Sequence, residues 1–305
     1  IREKHARVIS NLERVSRWLA PGAKMSEELK TLKVNTCYHV HHWMRISFHL
    51  VSLWWLVEMG LHWAGCAILV ANYVVGALSI TVGFHRYFSH KSFQTSRFFQ
   101  FLLGFLGCCQ LQGGPIAWGS IHRHHHRASD QDEDLHTPIH GFYQSHYGWL
   151  LDPKTYEVAF GKGLSDLNQF KELVWLDRYN FVPPLIYFIA LWCGGEWYAG
   201  QNPGTPVDGW FVLFWGGILR IVVLWHVTWS VNSVCHIWGK RVFSTKDQSK
   251  NNLWIALLSL GEGWHNNHHK YPSSARNGFG WKQPDASYYF ILLMKRFRIV
   301  KDIRD

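Results

Sequence analysis

The sequence predicts an all-α integral membrane protein, with four transmembrane helices in two hairpins and a histidine-rich helical cap on the cytoplasmic side. Three observations predict it. Four apolar stretches approach the length a bilayer demands, basic residues crowd one side of them, and three tight histidine clusters fall on that same side.

The first stretch, about residues 44–62, has its apolar part from Ile46 to Val57 between Arg45 and Glu58. The second, about 64–84, runs from Ala64 to Phe84 without a charge, and Gly60 turns the hairpin between them. A membrane-spanning helix needs roughly 20 apolar residues. The third stretch, about 180–198, opens around Pro183-Pro184. The fourth is assigned to about 209–233. Its apolar character continues to Gly239, interrupted only by Arg220, which makes a helix about 46 Å long against a hydrocarbon core of about 30 Å. Its far end must project from the membrane. The cap is then residues 85–178 and 236–305. No linker divides the chain, so residues 1–305 read as a single domain.

Charge placement orients the bundle. Lys and Arg are frequent before residue 45, in 85–180 and in 239–305, and are absent from the loops Gly60–Gly65 and Gly194–Gly209. By the positive-inside rule both termini and the long middle segment are cytoplasmic. The net charge of +10 suits an anionic partner such as lipid headgroups, a phosphate-bearing substrate or nucleic acid. Mean hydropathy is near neutral, but the 20 His and 18 Trp lower it, and Trp is at home at membrane interfaces. The six cysteines show no CxxC spacing and read as small packed residues. No signal peptide is visible. The chain begins at Ile1 rather than Met, and a few preceding residues are expected.

The clusters are His85-Arg-Tyr-Phe-Ser-His90, His122-Arg-His-His125-His126 and His265-Asn-Asn-His268-His269. Residues at i, i+3 and i+4 share a helix face, so His122, His125 and His126 converge, as do His265, His268 and His269. His85 and His90 are about 140° apart on an α-helix and converge only if it bends or ends between them. Imidazole suits Fe, Zn, Cu and Ni, and eight imidazoles exceed the needs of one ion, so two metal ions are expected. One such triplet alone reads equally well as a solvated helix face. Three on one side of a membrane do not. Ligating histidines normally donate their second N–H to a carboxylate. Asp130, Asp132, Asp134 and Glu262 stand beside the boxes, with Asp134 and Glu262 preferred for that role. His124 faces away from its neighbours. His39, His41, His42, His49, His62 and His226 fall outside the pattern, and His136, His140 and His146 stay open.

The HxxxxH, HxxHH and HxxHH boxes resemble those of the membrane fatty acyl desaturase family, in particular its delta-9 acyl-CoA (stearoyl-CoA) and acyl-lipid branch. Flanking residues are similar too: Gly83-Phe-His85-Arg, Ser145-His-Tyr-Gly-Trp149-Leu-Leu151 and Gly261-Glu-Gly-Trp-His265. The resemblance spans about residues 46 to 285. It implies that Asn232-Ser-Val-Cys-His236 supplies a ninth histidine ligand, His236, with Asn232 acting through a water. It also implies that Gln112, Trp118 and Thr228, with Trp229 nearby, shape a bend in the substrate, and that Tyr73 and Ala77 close its tunnel.

The implied reaction removes two hydrogens from an unactivated methylene pair, using O2 as co-substrate. That selects a redox metal, two Fe ions, although Zn can occupy such sites in purified samples. The implied product carries a cis double bond at carbons 9–10 of a saturated C16 or C18 chain on CoA or a lipid. The sequence has no iron–sulfur, GxGxxG or His-Pro-Gly-Gly signature, so electrons are expected from a separate carrier, cytochrome b5 or a ferredoxin with its reductase. The membrane would be a bacterial inner membrane or the endoplasmic reticulum, with no nucleic-acid partner. The alternatives are a related di-iron acyl or alkane hydroxylase and, from another class, a zinc-binding membrane receptor or a haem-carrying subunit.

Overall fold

The computed structural model describes residues 27–161 and 163–305, with side-chain surroundings from residue 34 onward. The basic stretch ahead of residue 27 lies outside them. Helix α1 (Glu27–Met59) is about 50 Å long, so it begins well before the expected span. Gly60, in the left-handed region at φ +66°, turns the chain. His62 then accepts a hydrogen bond from the Ala64 amide, 3.2 Å away, and caps α2 (Trp63–Ser89). The third and fourth long helices are α9 (Val182–Gln201) and α10 (Gly209–Ile237).

Two of the four, Trp63–Ser89 and Gly209–Ile237, are long and apolar enough to cross a membrane. Helices α1 and α9 are long enough but less apolar, because Arg45, Glu58 and several histidines interrupt the first and a Gly-Gly-Glu run the second. Both nevertheless turn large apolar side chains outward, among them Leu50, Leu53 and Val57 of α1 and Leu185, Ile186 and Ile189 of α9. Contiguous exposed apolar surface of this kind marks a partner or a membrane.

Helix α2 continues past the expected end at residue 84. Its last stretch, Ser79–Ser89, is wound as a wide π-helix with His90 as its cap. The His90 amide bonds back to the His85 carbonyl at 3.2 Å, an i→i+5 closure. One wide turn therefore separates the two histidines, and their ring centroids lie 4.8 Å apart. The five-residue spacing, awkward on an α-helix, suits this geometry.

The cap is built from short helices: α3 (Arg97–Cys108), α4 (Pro115–Ala128), α5 (Phe142–His146), α6 (Pro153–Ala159), α7 (Ser165–Asn168) and α8 (Lys171–Arg178). After α10 follow α11 (Leu253–Leu258), α12 (His265–Lys270) and α13 (Ala286–Arg296). The fold is not purely helical. Strands β1 (Gln94–Thr95) and β2 (Val300–Lys301) pair antiparallel, with Gln94 opposite Lys301. A core of Phe84, Phe88, Leu103, Leu173, Leu176 and Ile291 joins α2, α3, α8 and α13 beside the histidine boxes.

Candidate metal centre

Each box is positioned by its own local device. Helix α4 starts with Pro115, whose fixed φ suits a first turn, and buried Asp177 accepts the Ile116 and Ala117 amides, both at 2.9 Å. Any side chain at Gly114 would overlap Asp177. Arg123, between two histidines of the same helix, donates to the Phe88 and Ser89 carbonyls at 2.6 and 2.8 Å and forks onto Asp166. That clamp ties α4 to the end of α2. In α12, Asn251 Oδ1 accepts the Asn266 and Asn267 amides at 2.9 and 3.2 Å.

The nine histidines named from the sequence come together in two groups, one of His85, His90, His122, His126 and His268, the other of His125, His236, His265 and His269. Within the first, Nε2 of His85 lies 3.0 Å from that of His268. His122 Nε2 lies 2.8 Å from that of His90 and 3.0 Å from that of His126. In the second, His265 Nε2 is 3.0 Å from His236 Nε2, and His125 Nε2 is 3.4 Å from His269 Nε2.

Four of the opposite nitrogens face carboxylates. His85 Nδ1 lies 2.6 Å from Glu262, His125 Nδ1 3.0 Å from Asp134, His236 Nδ1 3.0 Å from Asp130 and His269 Nδ1 2.8 Å from Asp247. A carboxylate there holds the proton on Nδ1 and leaves the Nε2 lone pair free. Lone pairs pointed at one another repel unless a cation lies between them. Two nitrogens about 2.1 Å from a shared ion and at right angles are about 3.0 Å apart, which is the spacing seen. The donor set fits two metal ions.

The electrostatics agree. Burial, followed by neighbouring imidazoles, pushes His122, His126, His265, His268 and His269 far below the usual imidazole range, so they stay neutral donors. Burial also acts on Asp134 and Glu262 and would raise them. His125 and His136 outweigh it at Asp134, as His85 and Arg86 do at Glu262, and both remain ionised.

Sequence reasoning missed part of this outer ring. Asp247, in the loop after α10, reaches His269 across 22 positions with no spacing to announce it, whereas Asp130, one of the carboxylates named beside the boxes though not among the two preferred, reaches His236. Asp132, weighed beside them, is exposed. His136 is buried, with its ring 4.2 Å from His125. His124 turns away and bonds the Glu133 carbonyl at 2.8 Å.

Two cavities meet beside the first group. The larger, about 940 Å³ including its open mouth, and the smaller, about 530 Å³, share Trp118, His122, Thr228 and Asn232 as lining. At this junction Gln112 Nε2 donates to Thr228 Oγ1 at 3.2 Å, and Trp118 Nε1 donates to Gln112 Oε1 at 3.3 Å. Trp118 stacks on His122, centroids 5.0 Å apart. Trp229 lines the larger cavity and Ala77 the smaller. Tyr73, one turn before Ala77, packs against the core and donates to the Leu258 carbonyl at 2.6 Å.

Fold and site together define a helical protein with two buried histidine groups beside two adjoining, largely apolar cavities. The fatty acid desaturase family profile matches residues 61–281, and the chain belongs to that membrane family. It is 38% identical over 262 residues to the chloroplastic palmitoyl-monogalactosyldiacylglycerol delta-7 desaturase of Arabidopsis thaliana, covering 85% of this chain and 67% of that one. It is 33% identical to the sn-2 palmitoyl-lipid 9-desaturase of Nostoc sp. (strain 36), over 93% and 94% of the two chains. To the sn-1 stearoyl-lipid 9-desaturase of Anabaena variabilis it is also 33% identical, over 85% and 91%.

Proposed function

We propose that this fatty acid desaturase acts on acyl lipids, using O2 to introduce a cis double bond at carbons 9–10 of saturated C16 or C18 chains at a non-haem di-iron centre. One observation carries the reading: two buried histidine groups adjoin a cavity junction shaped by Trp118, Gln112 and Thr228.

Bound iron would supply the oxidising power that unactivated methylenes require and that zinc lacks. The remaining work belongs to the chain. The nine histidines hold the ions, Glu262 and Asp134 keep His85 and His125 in the Nδ1–H tautomer, and Asn232 holds a water at the junction. Gln112, Trp118 and Thr228, with Trp229 beside them, bend the acyl chain. A bent chain brings both departing hydrogens to one side, which makes the product cis. The tail lies in the smaller cavity toward Ala77 and Tyr73, and the carboxyl end lies in the larger.

Residues 1–305 act as one domain. Spans near 44–62, 64–84, 180–198 and 209–233 leave both termini and the cap in the cytoplasm, in a bacterial inner membrane or the endoplasmic reticulum. A separate acidic carrier, cytochrome b5 or a ferredoxin, docks on the basic cap. The names of the palmitoyl- and stearoyl-lipid relatives favour a lipid substrate. The delta-7 relative supports a second reading, with the bond two carbons nearer the carboxyl group.

The test is expression in a desaturase-deficient host fed C16, C17 or C18 saturated acids, followed by gas chromatography and mass-spectrometric location of the double bond. The expected product has its bond at carbon 9 from the carboxyl end for all three. A bond at carbon 7 selects the second reading. A hydroxy acid as main product, or a bond that tracks the methyl end, overturns both.

A further inference from the structure

The larger cavity contains a group that the chemistry above does not use. Arg45, on α1, lines it and is only 7% exposed. No carboxylate among the described residues lies within ion-pair distance of its guanidinium, and its hydrogen bond to the Tyr156 hydroxyl is long, at 3.4 Å. The other buried arginines of the long helices are by contrast engaged: Arg86 of α2 pairs with Glu262 and Asp285, and Arg220 of α10 bonds Gln110 and Gly216 and lies over the Tyr187 ring. A buried cation without a charged partner is unfavourable, and such a group in a cavity marks a place where a ligand can supply the partner.

Its place in the cavity says what would pair with it. Beyond the shared junction the smaller cavity is mainly apolar, with Ala77, Ile80, Leu224, Val227 and Val231 in its lining beside Thr81, Ser259 and the metal-centre residues His85, Glu262 and His265, and it suits an acyl tail that passes the metal centre. The larger one adds His41, Arg45, Thr155, Tyr156 and Asn180, all able to hydrogen-bond. A guanidinium has five N–H donors and no acceptor, so it calls for oxygen. On an acyl substrate with its tail in the smaller cavity, the oxygens are at the carboxyl end.

We propose that Arg45, assisted by the Tyr156 hydroxyl, grips the acyl carbonyl oxygen of the substrate and thereby sets which carbons lie at the metal centre. This rests on the acyl-desaturase reading above. Arg45 is a specificity-determining residue, since it acts at the far end of the chain from the reacting carbons. A lipid ester and a thioester both offer that carbonyl.

Two measurements test it. In the host assay, Arg45→Gln should lower product at least 10-fold and spread the remaining double bonds over neighbouring carbons, while Arg45→Lys should restore one dominant position. Metal content per chain should match the wild type in both variants. In a thermal-shift assay on purified protein, palmitoyl lysophosphatidylglycerol and palmitoyl-CoA serve as separate probes. The probe that stabilises the wild type should lose that effect in Arg45→Gln, and which probe it is tells ester from thioester. Wild-type yield at a single bond position in Arg45→Gln, or an equal thermal shift in the two proteins, overturns the proposal. Absence of any unsaturated product from the wild type defeats the desaturase reading instead, and the thermal shift still decides Arg45.

Discussion

Glu262 lies 2.6 Å from Nδ1 of His85 with one carboxylate oxygen and 3.0 Å from the guanidinium of Arg86 with the other. One side chain thus orients a metal-facing imidazole and neutralises a fully buried cation, which Asp285 also contacts at 2.9 Å. Asp130, by contrast, serves His236 and the Gln248 amide, and no arginine, among the described residues. Both Glu262→Gln and Asp130→Asn should weaken metal retention by about 10- to 100-fold. Only Glu262→Gln should also lower stability substantially, by about 3 kcal/mol, because it strips a buried arginine of one partner. Metal per chain after graded chelation, with melting temperature measured alongside, separates the two effects. Equal melting temperatures would contradict the dual role.

Much of this was legible in advance because it depends on spacing. The i, i+3, i+4 boxes specify their own helical faces, and the long apolar runs specify the helices that carry them. The π-wound end of α2 was not legible. HxxxxH says that His85 and His90 must meet, but whether by a bend, a break or a widened turn depends on how α2 packs on α3. Asp247 was equally hidden, since loop residues join a site through tertiary contact alone. Helix α1 outruns its apolar core because the segment before Arg45 is helical without being apolar.

Acid should loosen the Arg123 clamp. Burial would raise the Asp166 carboxyl, but its hydrogen bonds to Arg123 and Lys91 win and hold it down to about 2. A folded-state pKa below the ordinary carboxylate value of about 3.9 contributes stability that is present above that value and lost as pH falls toward 2. Melting temperature should therefore drop between about pH 4 and pH 2. Asp166→Asn should be less stable near neutrality and show a shallower decline across that window. Parallel curves for the two proteins would mean that the clamp contributes nothing.

Packing of α3 on α2 should be intolerant at one point. A Cβ on Gly107 would overlap the ring of Phe84, which is fully buried next to His85. Gly107→Ala should cost about 1–3 kcal/mol through overpacking, read as a lower melting temperature. Gly194, inside α9, has open space around its Cβ position, so Gly194→Ala should be neutral or slightly stabilising.

Chain-length selection should lie with Ala77 before Tyr73. Ala77 lines the smaller cavity and is 1% exposed, so a larger side chain there has nowhere to go except into the space for the tail. Ala77→Phe should shift the product from C18 toward C16 or shorter chains, with the bond position from the carboxyl end unchanged. Tyr73 stands one turn further from His85, fastened by its hydroxyl to the Leu258 carbonyl. Tyr73→Ala removes that fastening and opens volume behind Ala77, so longer chains should gain. The gain should be smaller than the loss caused by Ala77→Phe, because Ala77 still narrows the way through. Product profiles from the host fed C14 to C20 saturated acids measure both changes. If Tyr73→Ala lengthens the product while Ala77→Phe leaves it unchanged, the tail takes a path on the other side of α2.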